Sequence, residues 1–298
     1  MKITPAFLFV YLISLCSIRT YGQDEQKYDS LKFAYQKGKK DYRSMPWLVD
    51  MAEELKDTGF ARIVAKDYIN AYIPKLPDNE FIRKQTIELI RKFNRNEKNE
   101  TFRRFIKHAK EIDREMESSD YAETYIDYIL ITNIILPQIW RNNAPISQDP
   151  DWRQMEDHIT SQYNRNIAER AILQSKIKWY EVKKDTTQLI ECYIEKFDRY
   201  GPDSSSIGKM ATNNIAYYVV FQHSDNTIYL QKAASWMKKV TESEPSNAAF
   251  IDTYANILYK LGKKEDALAL EATAYNKAPN DKEIHNNFMK MKNGEKTW

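Results

Sequence analysis

From Tyr28 to Lys110 the apolar residues recur at intervals of three and four, the spacing of one helix face. Trp47, Leu48, Met51, Ala52 and Leu55 form one stripe; Phe60, Ile63, Val64, Tyr68, Ala71 and Tyr72 form the next. Gly59 between them suits the left-handed residue that ends a helix. Pro74 and Pro77 interrupt the chain, and Asp78 is placed to cap a helix carrying Phe81, Ile82, Leu89, Ile90 and Phe93. Phe102, Phe105, Ile106, Ala109, Ile112 and Met116 make a further stripe. The apolar stretch from Tyr121 to Ile135 holds Glu123, Asp127 and Asn133, which predicts a core helix and not a membrane span. Prolines at 137, 145 and 150 mark a hinge over 137–150, between a helical region 23–136 and a second one 151–298.

Beyond the hinge, Asp149 and Pro150 are placed to open a long helix reaching about Trp179. A helix from Thr186 to Tyr200 stops at Gly201-Pro202. Two helix pairs follow, 206–223 with 228–241 and 248–261 with 264–276, and Asn280 with Glu283 can cap a last helix, 281–292. No strand pattern of any length is present. The predicted fold is all-α, built of antiparallel helical hairpins. Ala233 and Pro245 recur as Ala267 and Pro279, each 34 residues on.

A 34-residue period with small residues mid-unit and a closing proline marks stacked helix-turn-helix units. The stretch from Ile251 to Pro279 resembles a tetratricopeptide repeat, with Ala255, Ala267 and Ala274 on its three small positions. The copy before it places Phe221 and Val240 where the later one has Ala255 and Ala274, so a distorted unit is expected there. The resemblance implies a tetratricopeptide-like array whose first helices line a concave groove that holds another protein. On this chain those groove positions are Tyr218 and Gln222 in one unit and Asp252, Asn256 and Tyr259 in the next. They are expected to be exposed and dispensable for folding. Asn256 falls where some family members hold a peptide backbone or carboxylate; the lysine that completes such a clamp is replaced by Tyr218 and Asp252.

Phe33–Gly38, Met51–Gly59, Asp252–Asn256 and Tyr259–Lys263 also resemble the helical region that follows the thioredoxin domain in some exported bacterial thioredoxin-family proteins. Those proteins carry a Cys-x-x-Cys ahead of that region. This sequence has none, so the resemblance carries no redox chemistry with it.

Lys2, the apolar run Phe7–Leu15 and the exit Thr20-Tyr21-Gly22 read as a secretory signal peptide over 1–22. Export follows, with the periplasm the expected destination; secretion, or a lipid anchor at Cys16, are the alternatives. Leu15 is bulkier than the residue such lipid processing favours. Residues 23–298 carry 43 Lys and Arg against 42 Asp and Glu, a balance that argues against nucleic acid as a general partner. The charge is uneven: residues 27–110 hold 20 basic and 12 acidic residues. Cys192 alone remains past residue 22, too few thiols for an internal disulfide. Its apolar helical setting, beside Glu191 and Glu195, predicts a buried, inert thiol.

No arrangement of residues predicts catalysis, a metal or a cofactor. The histidines, at 108, 158, 223 and 285, lack a second ligand at metal-binding spacing, and Glu156-Asp157-His158 lies on the polar face of an amphipathic helix. The carboxylate pairs Glu53-Glu54 and Glu242-Glu244 lie in stretches too polar to drive their acidities apart. Twenty Tyr suit both core packing and contact surfaces. The chain is therefore expected to be an exported, non-catalytic protein–protein interaction module. The alternatives are an accessory subunit docking with a separate thioredoxin-like enzyme and a glycan-binding surface protein. Mass spectrometry of the exported form is expected to find a chain starting at Gln23; a start at a lipid-bearing Cys16 would contradict this cleavage site.

Overall fold

The computed structural model describes residues 23–142, 144–146 and 148–298; the expected signal peptide and Cys16 lie outside the described residues. The described chain is all-α, with consecutive helices packed on one another as hairpins. It divides into two compact units, one up to Asn133 and one from Ile134 onward.

In the first unit α1 spans 23–36, α2 Met45–Glu54 and α3 Thr58–Ala71. After the 3-10 turn Ile73–Lys75 come α4 (Asp78–Phe81), α5 (Lys84–Phe93), α6 (Glu100–Lys107), α7 (Ala109–Glu115) and α8 (Tyr121–Leu130). The break between α2 and α3 falls earlier than expected. Lys56, not Gly59, adopts the left-handed conformation (φ 61°), and Gly59 lies inside α3. Asp57 decides this, because its carboxylate accepts from the Phe60 amide and starts the new helix. Asp78 caps nothing. It is the first residue of α4, and its carboxylate takes the Arg104 guanidinium at 2.6 Å. Arg104 also donates to the carbonyls of Ile73, Pro74 and Leu76 and lies 4.3 Å from the Phe81 ring centre. One arginine thus adds donors to the Pro74 and Leu76 carbonyls and a second donor to that of Ile73, which already accepts from the Leu76 amide. Phe81, Phe102, Phe105 and Ile90 fill the core beneath it.

The expected hinge belongs to the second unit and is not bare loop. It holds α9 (Leu136–Ile139) and a ribbon of β1 (Trp140–Arg141) against β2 (Ala144–Pro145), antiparallel with Trp140 opposite Pro145. The long helix expected from Pro150 is two helices, α10 (Trp152–Gln162) and α11 (Arg165–Lys183). Each has its own cap, Asp151 accepting from the Gln154 amide and Asn164 from the Ile167 amide. Then come α12 (Thr186–Tyr200) and α13 (Ser206–Asn214), which runs into a π-helical segment, Ile215–Phe221. The last elements are α14 (Thr227–Ser243), α15 (Ala248–Lys260), α16 (Lys264–Lys277) and α17 (Lys282–Lys292). Asp281, rather than Asn280, caps α17, accepting from the amides of Glu283 and Ile284.

Ala233, Ala255, Ala267 and Ala274 have no exposed surface, and Phe221 with Trp236, Met237 and Ile257 forms the core between the pairs. One-carbon side chains at these seams allow the helix backbones to approach closely. Ala267→Leu should overpack the α15–α16 contact and cost about 1–3 kcal/mol. Hydrogen exchange on that variant is expected to show lost protection in α15–α17 with residues up to 133 spared; uniform loss along the chain would mean a single cooperative body.

Candidate functional site

The five positions expected to line a groove fall into two environments. Tyr218 and Gln222 are exposed, Tyr218 at 55%. Asp252, Asn256 and Tyr259 are buried, so the expectation that they are exposed and dispensable for folding does not hold. The reason is local. Asn287 on α17 donates to the Asp252 carboxylate at 2.9 Å, which ties α17 over this part of α15. Trp298 packs edge-on against both Tyr259 and Phe221, with ring centres 6.3 and 6.2 Å apart. Lys260, the next residue along, donates to the Phe221 carbonyl at 2.7 Å and pairs with Asp225.

Beneath this cover lies a group of acids that the sequence reading passed over. Glu271 of α16 has no exposed surface, and neither of its oxygens meets an N–H or O–H donor. It faces the carboxyl of Asp252. Burial, and then the neighbouring Asp252 charge, push the Glu271 pKa up to about 10; burial also raises that of Asp252, against the opposing hydrogen bond from Asn287. Asn256 donates to Asp252 at 3.0 Å, which satisfies one of its oxygens together with Asn287. Two buried carboxyls in contact, with amides as the donors to one of them, attract only if one keeps its proton. The outer titratable neighbours are Glu283 of α17, which accepts from the Tyr217 hydroxyl at 2.9 Å, and Tyr217 itself in the π segment, a phenol that burial and Glu283 keep neutral. Neither brings positive charge.

A paired acid of this kind could serve as proton donor and acceptor, but it is sealed from solvent and no cleft reaches it among those described. The arrangement is one of packing. The signal for it was present in the sequence: Glu271 stands four residues after Ala267 and three before Ala274, on the stripe that meets the partner helix. Asp252 stands likewise three before Ala255.

The exposed part of the face is mainly apolar, with Asn214 set between Met210 and Tyr218. Ile207 (81% exposed), Met210 (58%), Asn214 and Tyr218 follow one another at spacings of three and four along α13 and the π segment. The opposite side of the same stretch buries Ala216, Val220 and Phe221. Ile228, at the start of α14, is 64% exposed. Cys192 is buried as expected, and burial raises its thiol to about 11. Among the described residues no cluster of three or more His, Cys, Asp or Glu could hold a metal, and no helix is long and apolar enough to cross a membrane.

No protein-family model matches this chain, and no curated protein is significantly similar to it. The geometry of the site therefore carries the functional argument.

The acid pair makes a pH prediction with a definite sign. A carboxyl whose acidity is weakened by folding stabilises the native state below its unfolded pKa, and that stability is lost as pH rises toward the folded value. For Glu271 the loss begins near pH ~4.5 and continues toward pH 10, at most about 1.4 kcal/mol per pH unit. Glu271→Gln keeps the shape, supplies an amide donor to Asp252 and removes the titration. The variant is expected to melt like the parent near pH 4 and above it at pH 8. Parallel melting curves across that range would contradict a shared proton.

Proposed function

We propose that this chain is a non-catalytic protein–protein interaction module of helical-repeat type, with the outer face of α13 and the π segment as its contact surface. The observation that carries this reading is the unpartnered apolar stripe of Ile207, Met210 and Tyr218 on a helix whose other side is core. A solvent-facing helix side with no partner is ordinarily polar. Contiguous apolar side chains rimmed by polar ones mark places where another protein sits, and exposed tyrosine supplies contact area at small entropic cost. Gln222, one turn past Tyr218, adds an amide at the rim. The π turn supports the same reading, since such turns disturb the regular ladder and are frequent at functional sites.

The tetratricopeptide likeness agrees with this surface only in part. It supplies Tyr218 and Gln222, whereas Asp252, Asn256 and Tyr259 serve the body beneath and stabilise the face without touching a partner. The docking surface is thus narrower than the groove of the repeat pattern and lies on one helix. Export, with the periplasm as destination, is part of the proposal and rests on the 1–22 pattern. The thiol-accessory and glycan readings have no comparable surface in their favour.

The test combines stability with partner retention. A photo-reactive residue at position 210 would identify the neighbour in the producing cell, and the identified protein would then be titrated against Ile207→Glu/Met210→Glu. Both positions are exposed, so melting should change by less than about 0.5 kcal/mol. Each contact truncated at a hot spot costs about 1–2 kcal/mol or more, so affinity is expected to drop at least tenfold. Full retention of the partner by the double variant would rule out this face.

A further inference from the structure

The first unit contains a cleft that the docking face does not use. It measures about 450 Å³ and is lined by Glu53 of α2, Thr58 and Arg62 of α3, Lys92 and Phe93 of α5, and Arg95 just after α5. Three cationic side chains, Arg62 of α3 and Lys92 and Arg95 at the end of α5, thus share this lining with one carboxylate. That carboxylate is already committed, because Glu53 takes the Lys92 ammonium. The two arginines have no such partner.

Arg62 is exposed and makes no ion pair or hydrogen bond among the described residues. Arg95 is held in place without being neutralised. One of its terminal nitrogens, Nη1, donates to the carbonyls of Arg91 and Asn94 at 2.8 and 3.0 Å, and its guanidinium lies 5.6 Å from the Tyr128 ring centre. Anchoring through Nη1 leaves the rest of the fork for another acceptor. Thr58 opens the fourteen-residue helix α3, and Asp57 caps only the Phe60 amide there. Thr58 joins the lining at that helix start. Like charges gathered in a concavity raise its potential and draw in anions.

We propose that this cleft binds a phosphate or sulfate group, with Arg62 and Arg95 as the paired ligands and Phe93 as the wall against which the carrier of the group lies. The arginines favour an oxyanion with several oxygens, because a planar fork donates two parallel bonds to such a group. A dense, multiply charged group also repays the gathering of cations better than a single carboxylate does. The uneven charge of residues 27–110, with 20 basic against 12 acidic residues, gives the approach to the cleft the same sign. The site belongs to the first unit alone and stands or falls independently of the docking face.

The experiment is calorimetric titration of the full chain with inorganic phosphate, pyrophosphate and sulfate at fixed low ionic strength. Saturable binding is expected, weakened about tenfold by Arg62→Glu, since charge-assisted bonds of this kind are among the stronger ones. The variant Arg103→Glu, an exposed arginine elsewhere in the same unit, should leave binding unchanged. Arg62 carries no internal bond, so the variant should melt like the parent. Preference for pyrophosphate would identify a phosphorylated ligand as the source, and preference for sulfate a sulfated one; either order supports the site. Absence of saturable binding, or equal weakening by Arg62→Glu and Arg103→Glu, would overturn it.

Discussion

Close approach of α15 to α16 constrains everything else in the second unit. Ala255, Ala267 and Ala274 leave no room between the backbones, and water has no path along that seam. Any longer side chain on the same stripe is forced into the interior whatever its chemistry. Glu271 is such a side chain. Its burial is a consequence of where the alanines sit, and its proton is a consequence of its burial. Asn256 and Asn287 then act as the two donors that let Asp252 accompany it, and Asn287 ties α17 down in doing so. An apolar residue at 271 would fill the same space without a proton to hold, so the acid makes this seam sensitive to pH where an aliphatic one would not be.

The same reasoning separates what is readable in the residues from what is not. Helix pairs 206–223 with 228–241 and 248–261 with 264–276 are legible because their ends carry distinct chemical marks. Asn226 and Asn247 cap, and Gly262 takes the left-handed turn at φ 82°. Boundaries without such marks are misread. Lys56 does the work expected of Gly59, since the carboxylate of Asp57 outweighs the modest cost of a left-handed lysine. The single helix expected from Pro150 hides a break at Asn164, a residue equally at home on a helix face and at a cap. The five expected groove positions divide, two exposed and three buried, for a different reason. Helical spacing tells which residues share a face, but not whether a later segment covers it. Asn287 and Trp298 lie 35 and 39 residues from Asp252 and Tyr259, beyond any local pattern.

The π segment Ile215–Phe221 lies where the repeat was expected to be distorted. Phe221 stands at the position that Ala255 takes in the next unit, and it is buried against Tyr217 and Trp298. An α-helix with a benzyl group in place of a methyl must move away from its neighbour or change its winding. This chain changes winding. The wider turn lets Phe221 point into the core while Tyr218, three residues earlier, stays outside. The distortion that weakens the likeness to a regular repeat therefore also produces the exposed tyrosine on which the proposed docking face depends.

Both units lay cations over aromatic rings, Lys183 over Trp179 and Lys260 over Phe221 in the second, but the second also buries a pair of contacting carboxyls, and this bears on what each can bind. In the first, cations without a carboxylate partner among the described residues lie over aromatic rings: Lys27 on Trp47, Arg91 on Tyr121, Arg95 on Tyr128. Such contacts fix the position of a cation without cancelling its charge, because the ring offers a quadrupole and not an anion. In the second, the buried acid pair holds one proton and takes two amide donors, which leaves a single negative charge shut away from solvent. A surface of pinned, unneutralised cations attracts anions from a distance; a surface of exposed isoleucine, methionine and tyrosine offers area and little long-range pull. Recognition by the first unit should thus weaken with salt, while recognition by α13 should be nearly indifferent to it. That difference in salt response follows from how each core disposes of its ionisable groups.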